Sequence, residues 1–284
     1  MKYLDGKNLQ KKFLNDIKEE VSLLGIKPVL AVISTGDDEA NKLFLKQIKN
    51  MCEYVSYDIK YYYYADVSEE KLYCLIQKLN ASSDVTSILI LNPLLLHLQT
   101  RKIKNAILPE KDIDGMNSLS RVKYFDGEGV FLPATVLGII YLLEAYSINV
   151  KEKNVVIINR SEMLGKTLAD YFLVQDCTVV VCHSKTKNLD YYLKGADIVI
   201  TATGRAKSIN LKYLKDGSVV VDIGIDCVDG AYYGDVIIDD EDNTKIAYLA
   251  KSIGGVGPMT IAALARNILK SYYLTQEDKD GKGI

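Results

Sequence analysis

NVVIINRSEMLGKTLADYFL, residues 154–173, decides the fold. It reads as a strand, a tight turn and the start of a helix. A dinucleotide site places a pyrophosphate at such a helix N-terminus, where backbone N–H groups have no intrahelical partner. The three glycines usual for such a turn are not all here. Asn159 stands in the first place, Ser161 two positions on, and Gly165 four beyond that. Asparagine tolerates the left-handed conformation better than most residues, so the turn survives the change. As a bare motif the stretch is weak, and a full βαβ unit around it strengthens the reading.

TVVVCHSKT (178–186), ADIVITATG (196–204) and GSVVVDIGI (217–225) continue the series. Four continuous apolar strands predict a parallel sheet covered on both faces. The end of the second strand selects the nucleotide. An acidic residue ~20 positions beyond the fingerprint binds a free ribose 2′-hydroxyl. Here the strand ends in Cys182, His183, Ser184 and Lys185. Arg160, Ser184 and Lys185 offer cationic and hydroxyl donors, which favours a 2′-phosphate and so NADP over NAD. An ordinary polar loop at Ser184 and Lys185 is the alternative.

The first half of the chain has the same rhythm. KPVLAVIST (27–35), VSYDIKYYYY (55–64) and TSILILN (86–92) read as strands. Helices are expected at about 38–52 and 68–80, the second with an acidic first turn. The run Tyr61–Tyr64 reads as a strand with aromatics on both faces, or alternatively as a platform for a ring-shaped ligand. A loop-rich stretch, 108–129, marks a domain boundary. PATVLGIIYLLEAYSI (133–148) reads as a helix with proline near its start. The expected organisation is α/β, with one domain over 1–118 and a Rossmann domain over 119–257. A last helix, about 258–275, is expected to return to the first domain.

Composition narrows the function. Of 284 residues, 48% are apolar and 25% charged, as in a globular protein. A net charge of −2 gives no basic field for nucleic acid. The longest apolar runs are too short for a bilayer, and MKYLDGKNLQKK has no secretory h-region. Five scattered cysteines and two histidines argue against a zinc site or a disulfide framework, and fit a cytoplasmic setting. The polar QEDKDGKGI (276–284) is expected to fray.

NPLLLH (92–97), PEKDIDG (109–115), FLPATVLG (131–138), NRSEMLG (159–165), CHSKT (182–186), ATG (202–204), DIGI (222–225), GDV (234–236) and GGVGPMT (254–260) complete the set. Together they resemble the methylenetetrahydrofolate dehydrogenase/cyclohydrolase (FolD) family over nearly the whole chain. The resemblance implies an N-terminal catalytic domain, a Rossmann domain and a cleft between them, usually in a homodimer. It implies oxidation of 5,10-methylenetetrahydrofolate with NAD(P)⁺, then hydrolysis of the methenyl product to 10-formyltetrahydrofolate. Asp114 matches the pterin-binding carboxylate, while Asp112 is expected to shape the turn or share the role. Ile253, Gly254, Gly255, Val256 and Gly257 match the substrate-side glycine turn. Arg160, Ser161 and Ser184 match NADP contacts, and Asn159, Gly165, Thr203 and Ile225 fall in the cofactor-binding stretches.

The chain departs from the family at the catalytic wall. The family tyrosine, followed four residues later by the acid/base lysine, falls on Phe44 and Ile48 in NKLFLKQIKN (41–50). The supporting glutamine falls on Leu91. Ala40, Phe44, Ile48 and Cys52 share a helix face, expected to be the inward one. Lys42, Lys46 and Lys49 share another, expected to meet solvent. Lys49 is rotated ~100° from position 48. Hydride transfer needs no proton, whereas general acid–base help in hydrolysis is worth about 10²–10⁴-fold. A dehydrogenase with weak or lost cyclohydrolase is the expectation. A working bifunctional enzyme and a non-catalytic folate- or nucleotide-binding paralogue are the alternatives.

Overall fold

The structure is a computed structural model and describes residues 1–126, 131–238 and 246–277. The end of the predicted boundary loop and the polar tail beyond 277 lie outside them. The chain divides into two compact units. One holds Lys11–Ala134 and Ile261–Ile284, the other Met1–Gln10 and Thr135–Thr260.

The first unit carries a three-stranded parallel sheet. Val29–Thr35 lies in the middle, with Asp58–Tyr64 on one side and Ser87–Ile90 on the other. The central strand is apolar and almost wholly buried because both faces are covered. The helix Glu39–Val55 starts where Asp38 accepts the N–H of Asn41 at 2.8 Å. It stops where Ser56 turns left-handed and donates its N–H to Cys52 O. The helix Glu69–Ala81 is capped by Ser68, with Glu69 and Glu70 in its first turn.

One expectation needs correction here, and the tyrosine run forms the expected strand with aromatics on both faces. The inward stripe of the Glu39–Val55 helix is Asn41, Leu45, Ile48, Met51, Cys52 and Val55. Ala40 is exposed and Phe44 only half-buried, so the stripe is rotated from the one expected. The four tyrosines lie on an edge strand. Tyr61 and Tyr63 are exposed on one face, while Tyr62 and Tyr64 are half-buried on the other.

Residues 261–277 of the helix Gly257–Glu277 belong to this unit. Asn267 donates to Ile113 O at 2.8 Å, and Ser271 to Thr86 O and Glu110 O at 2.8 and 2.7 Å. Tyr57 donates its hydroxyl to Ala265 O at 3.1 Å. These bonds satisfy carbonyls that burial would otherwise leave unpaired.

The second unit carries a six-stranded parallel sheet. Its order across the sheet is Lys2–Tyr3, Tyr248–Ala250, Val219–Asp222, Ile198–Thr201, Asn154–Ile158 and Thr178–Cys182. From Asn154 onward the chain first adds Thr178–Cys182 on one side, then every later strand on the other. The switch point lies between Asn154–Ile158 and Ile198–Thr201. Open α/β sheets bind ligands beyond the carboxyl ends of the strands at such a point. Three of the four predicted strands are covered on both faces. The fourth, Thr178–Cys182, is the sheet edge, with Thr178 and Val181 exposed. Apolar continuity cannot distinguish a central strand from an edge strand that meets another surface.

Candidate active site

In the second unit every expected ligand contact follows a parallel strand. Asn159, Arg160, Ser161 and Gly165 follow Asn154–Ile158. Ser184 follows Thr178–Cys182, Thr203 follows Ile198–Thr201, and Ile225 follows Val219–Asp222. Ile253, Gly254, Gly255, Val256 and Gly257 follow Tyr248–Ala250. The sheet therefore collects residues from five separate stretches at its carboxyl edge.

Asn159 organises the first turn. Its Oδ1 accepts the N–H of Ser161 at 2.8 Å, the hydroxyl of Ser161 at 2.8 Å and the N–H of Gly165 at 3.2 Å. Its amide donates to Ala202 O at 2.8 Å, across the switch point. Asn159 does not take the left-handed conformation expected of it and holds the turn through side-chain bonds instead. Gly165 must remain glycine, because a Cβ there would collide with the carbonyl of Asn159. Arg160, Ser184 and Lys185 are exposed, and their side-chain donors face solvent, while Ser161 is exposed with its hydroxyl held by Asn159. His183 shapes the second loop, where its Nδ1 accepts the N–H of Lys185 at 3.1 Å. Ile225 is exposed, as is Ile253 at the head of the glycine turn. Gly254 is left-handed (φ +87°), while Gly255 and Val256 are buried.

In the first unit the KDIDG residues divide the labour. Lys111 is buried and donates to Leu79 O, Asn80 O and Ser82 O at 3.2, 2.9 and 2.8 Å, closing the end of the Glu69–Ala81 helix. Asp112 is buried and accepts the N–H groups of Met116 and Asn117 at 3.0 and 2.7 Å and the hydroxyl of Ser120 at 3.0 Å. That is the turn-shaping role. Asp114 accepts the N–H of Ala134 at 2.8 Å through Oδ1. Burial pushes its pKa up to about 7, with Asp112 adding repulsion and the Ala134 N–H pulling it down. A carboxyl so placed changes charge near neutral pH, and such groups cluster at functional sites.

The three substituted positions behave differently. Ile48 and Leu91 are fully buried among the largest core side chains, and Phe44 is half-buried. None of the three carries a proton donor or acceptor. Lys42 is held by Asp37 and Glu39 at 2.5 and 2.7 Å. Lys49 lies over the Tyr61 ring at 5.0 Å from its centroid. Lys46 is exposed. Sequence reasoning missed Asp222 and Asp235, which are buried beside the 202–205 loop. Their signal was present in DIGI and GDV, where an acidic residue interrupts apolar sequence. Among the described residues no group of His, Cys, Asp or Glu is arranged to hold a metal, and no helix is long and apolar enough to cross a membrane.

Comparison with known proteins agrees with this layout. Residues 4–114 match the tetrahydrofolate dehydrogenase/cyclohydrolase catalytic domain, and residues 133–276 match the NAD(P)-binding domain of the same family. The bifunctional protein FolD of Hydrogenobaculum is 41% identical over 96% of this chain and 99% of its own length. A crystal structure of the bifunctional enzyme FolD from Campylobacter jejuni superposes with a TM-score of 0.92 at 36% identity. It covers 96% of this chain and 99% of that one. The Trypanosoma brucei enzyme, solved with NADP and an inhibitor, superposes at 0.90 with 26% identity, over 96% of this chain and 97% of its own. With both domains matched in order and the carboxyl-edge loops in place, this chain belongs to the tetrahydrofolate dehydrogenase/cyclohydrolase family.

Proposed function

We propose that the protein is an NADP-dependent 5,10-methylenetetrahydrofolate dehydrogenase whose cyclohydrolase step is weak or lost. The observation that carries the second clause is the burial of apolar Ile48 and Leu91, where the family has lysine and glutamine. Family membership and the donor set at the carboxyl edge support the first clause.

The donor set suits a phosphorylated dinucleotide. Arg160 and Lys185 supply positive charge and Ser184 a hydroxyl, all exposed, while Ser161, also exposed, would turn its hydroxyl away from Asn159 Oδ1. No carboxylate ends the Thr178–Cys182 strand to favour an unmodified ribose. These four residues would hold the 2′-phosphate end, with Thr203, Ile225 and the Asn159 turn along the remainder. The bound nicotinamide supplies the hydride acceptor. Asp114 would receive two parallel N–H bonds from the amino-pyrimidine edge of the pterin, which requires its ionised form. The glycine turn 254–257 offers backbone without side chains to the substrate. Hydride transfer then needs alignment of two rings and no proton. Hydrolysis needs a water activated and a proton delivered to the leaving nitrogen. Phe44, Ile48 and Leu91 offer neither.

The Hydrogenobaculum relative is named bifunctional and the Campylobacter jejuni structure is named for both activities, which favours a second reading: a working cyclohydrolase with its base elsewhere. One time course separates the readings. Purified protein is mixed with 5,10-methylenetetrahydrofolate and NADP⁺, and NADPH and the methenyl product are followed separately. The expected result is a parallel rise, with methenyl decaying no faster than in buffer. NADPH rising while methenyl stays low and 10-formyltetrahydrofolate accumulates overturns the loss of hydrolysis. No NADPH, and none with NAD⁺, leaves a binding paralogue as the reading.

We also propose a homodimer formed through the second unit, in the cytoplasm. Leu173 and Val174 are exposed on the Thr167–Val174 helix, and Val181 on the adjoining edge strand. Sedimentation of the wild type and of Val181→Glu tests the dimer. A wild-type monomer overturns it.

A further inference from the structure

Two buried carboxylates of the second unit lie beside the expected cofactor residues and are assigned no ligand. Asp222 ends the Val219–Asp222 strand, and Asp235 follows in the GDV stretch. They are 3% and 0% exposed. Asp235 Oδ2 accepts the N–H of Thr203 at 2.6 Å and the hydroxyl of Thr201 at 2.7 Å. Its Oδ1 accepts the N–H of Arg205 at 3.1 Å. The N–H groups of Asp235 and Val236 donate in turn to the two oxygens of Asp222, both at 3.1 Å.

From the other side, Asn159 donates to Ala202 O. The 202–205 loop is therefore held at Ala202, Thr203 and Arg205 by side chains from two different stretches. The holds meet at the switch point, where the parallel sheet offers its ligand crevice. Hydrogen bonds to a carboxylate are about twice as strong as neutral ones, and more so away from water. Burying a carboxylate is unfavourable unless its oxygens are filled, and each of these two accepts at least two donors.

We propose that Asp235, braced by Asp222, is a positioning residue that fixes the 202–205 loop in register with the Asn159 turn and so sets nucleotide affinity. The identity of the nucleotide rests on the function proposed above. The holding of the loop does not. In Asp235→Asn one oxygen becomes an NH₂ group, so either Arg205 or the Thr201–Thr203 pair loses its acceptor, whichever way the amide turns.

Two measurements on the full-length protein test this. Amide hydrogen exchange without nucleotide reads the loop directly. Asp235→Asn is expected to speed exchange at least tenfold at Thr203 or Arg205, whichever faces the NH₂ group, with the Asn154–Ile158 strand unchanged. Calorimetric titration with NADP⁺ is expected to show Kd raised about tenfold while KM for the folate stays within twofold. Loss of folded protein would lower the number of sites and leave their affinity intact, so the split in effects distinguishes positioning from simple destabilisation. Should Asp235→Asn not fold, the isosteric Thr201→Val removes one donor. A threefold rise in Kd with faster exchange at Thr203 is then expected. Unchanged exchange at Thr203 and Arg205 in a folded variant overturns the proposal, as does Kd within twofold of wild type when the wild type binds. If the wild type binds neither NADP⁺ nor NAD⁺, the functional reading fails and the exchange result alone decides the role of Asp235.

Discussion

The nucleotide turn of the second unit and the proposed catalytic wall of the first differ from the family pattern in opposite ways. In the second unit Asn159 stands where the resemblance expects a glycine, and its side chain makes four hydrogen bonds that hold the turn. In the first unit the positions the resemblance assigns to a lysine and a glutamine are Ile48, on the Glu39–Val55 helix, and Leu91, both buried in the core. A polar replacement in a ligand loop can restore the geometry, because the missing element was a shape. An apolar replacement cannot restore proton transfer, because the missing element was a reactive group. On the function proposed above, the turn is repaired and the wall is retired.

The harshest test of the repair is Gly165→Ala. The added Cβ meets the Asn159 carbonyl, and overpacking of this kind costs about 1–3 kcal/mol. Titration with NADP⁺ should show affinity lowered by up to about 150-fold. Unchanged binding would mean that the turn does not carry the nucleotide.

Next in size is Asp114→Asn. Loss of charge-assisted bonds at about 1.5–3 kcal/mol each should lower kcat/KM for the folate by about 10–100-fold. The sign of the pH effect follows from its pKa of about 7, raised from 3.8. The folded protein takes up this proton as pH falls through 7, so substrate affinity should drop there. Stability from this group moves the other way. It is present below the unfolded pKa and lost as pH rises through 7. Asp114→Asn should flatten both profiles, read by kinetics and by denaturant melts at pH 5 to 8.

The retired wall is tested by the triple change Ile48→Lys, Phe44→Tyr and Leu91→Gln. Hydrolysis of methenyltetrahydrofolate should rise about tenfold above the buffer rate, less than the roughly 10²–10⁴-fold of a fully built acid–base site. Tm should fall, since a lysine replaces a fully buried isoleucine. No gain in a folded triple variant would count against the missing base as the cause. The smallest effect belongs to Lys49→Ala. Its cation–π contact is exposed and worth about 0.5–1 kcal/mol, and turnover should not change. A large loss of activity would return this lysine to the chemistry.

The fold was legible because continuous apolar strands alternating with helical segments leave few arrangements other than parallel sheets. The helix face was legible only roughly. Four-residue spacing was read from Ala40, but the buried stripe starts at Asn41, whose amide donates to Pro93 O at 3.2 Å. Hydrophobicity alone ranks alanine above asparagine, and tertiary bonding reversed the order. The division of KDIDG was half visible. That Asp112 closes a turn is a local pattern, whereas the high pKa of Asp114 depends on burial by distant residues. The loop-holding role of Asp235 was hidden because its three donors, Thr201, Thr203 and Arg205, lie some thirty positions upstream.

Lys2 and Tyr3 pair with Tyr248 and Leu249 in the second unit's sheet, while residues 261–284 group with Lys11–Ala134. Both units are therefore stitched from distant parts of the chain. On the ribosome Lys2 and Tyr3 wait for Tyr248 and Leu249, made far later, and neither unit can finish before most of the other has been made. Contacts this distant in sequence slow folding, and they leave sheet edges unpaired in the nascent chain, where aggregation begins. For this architecture the order of synthesis runs against the order of assembly, and the delay falls on the sheet that collects the nucleotide-binding loops.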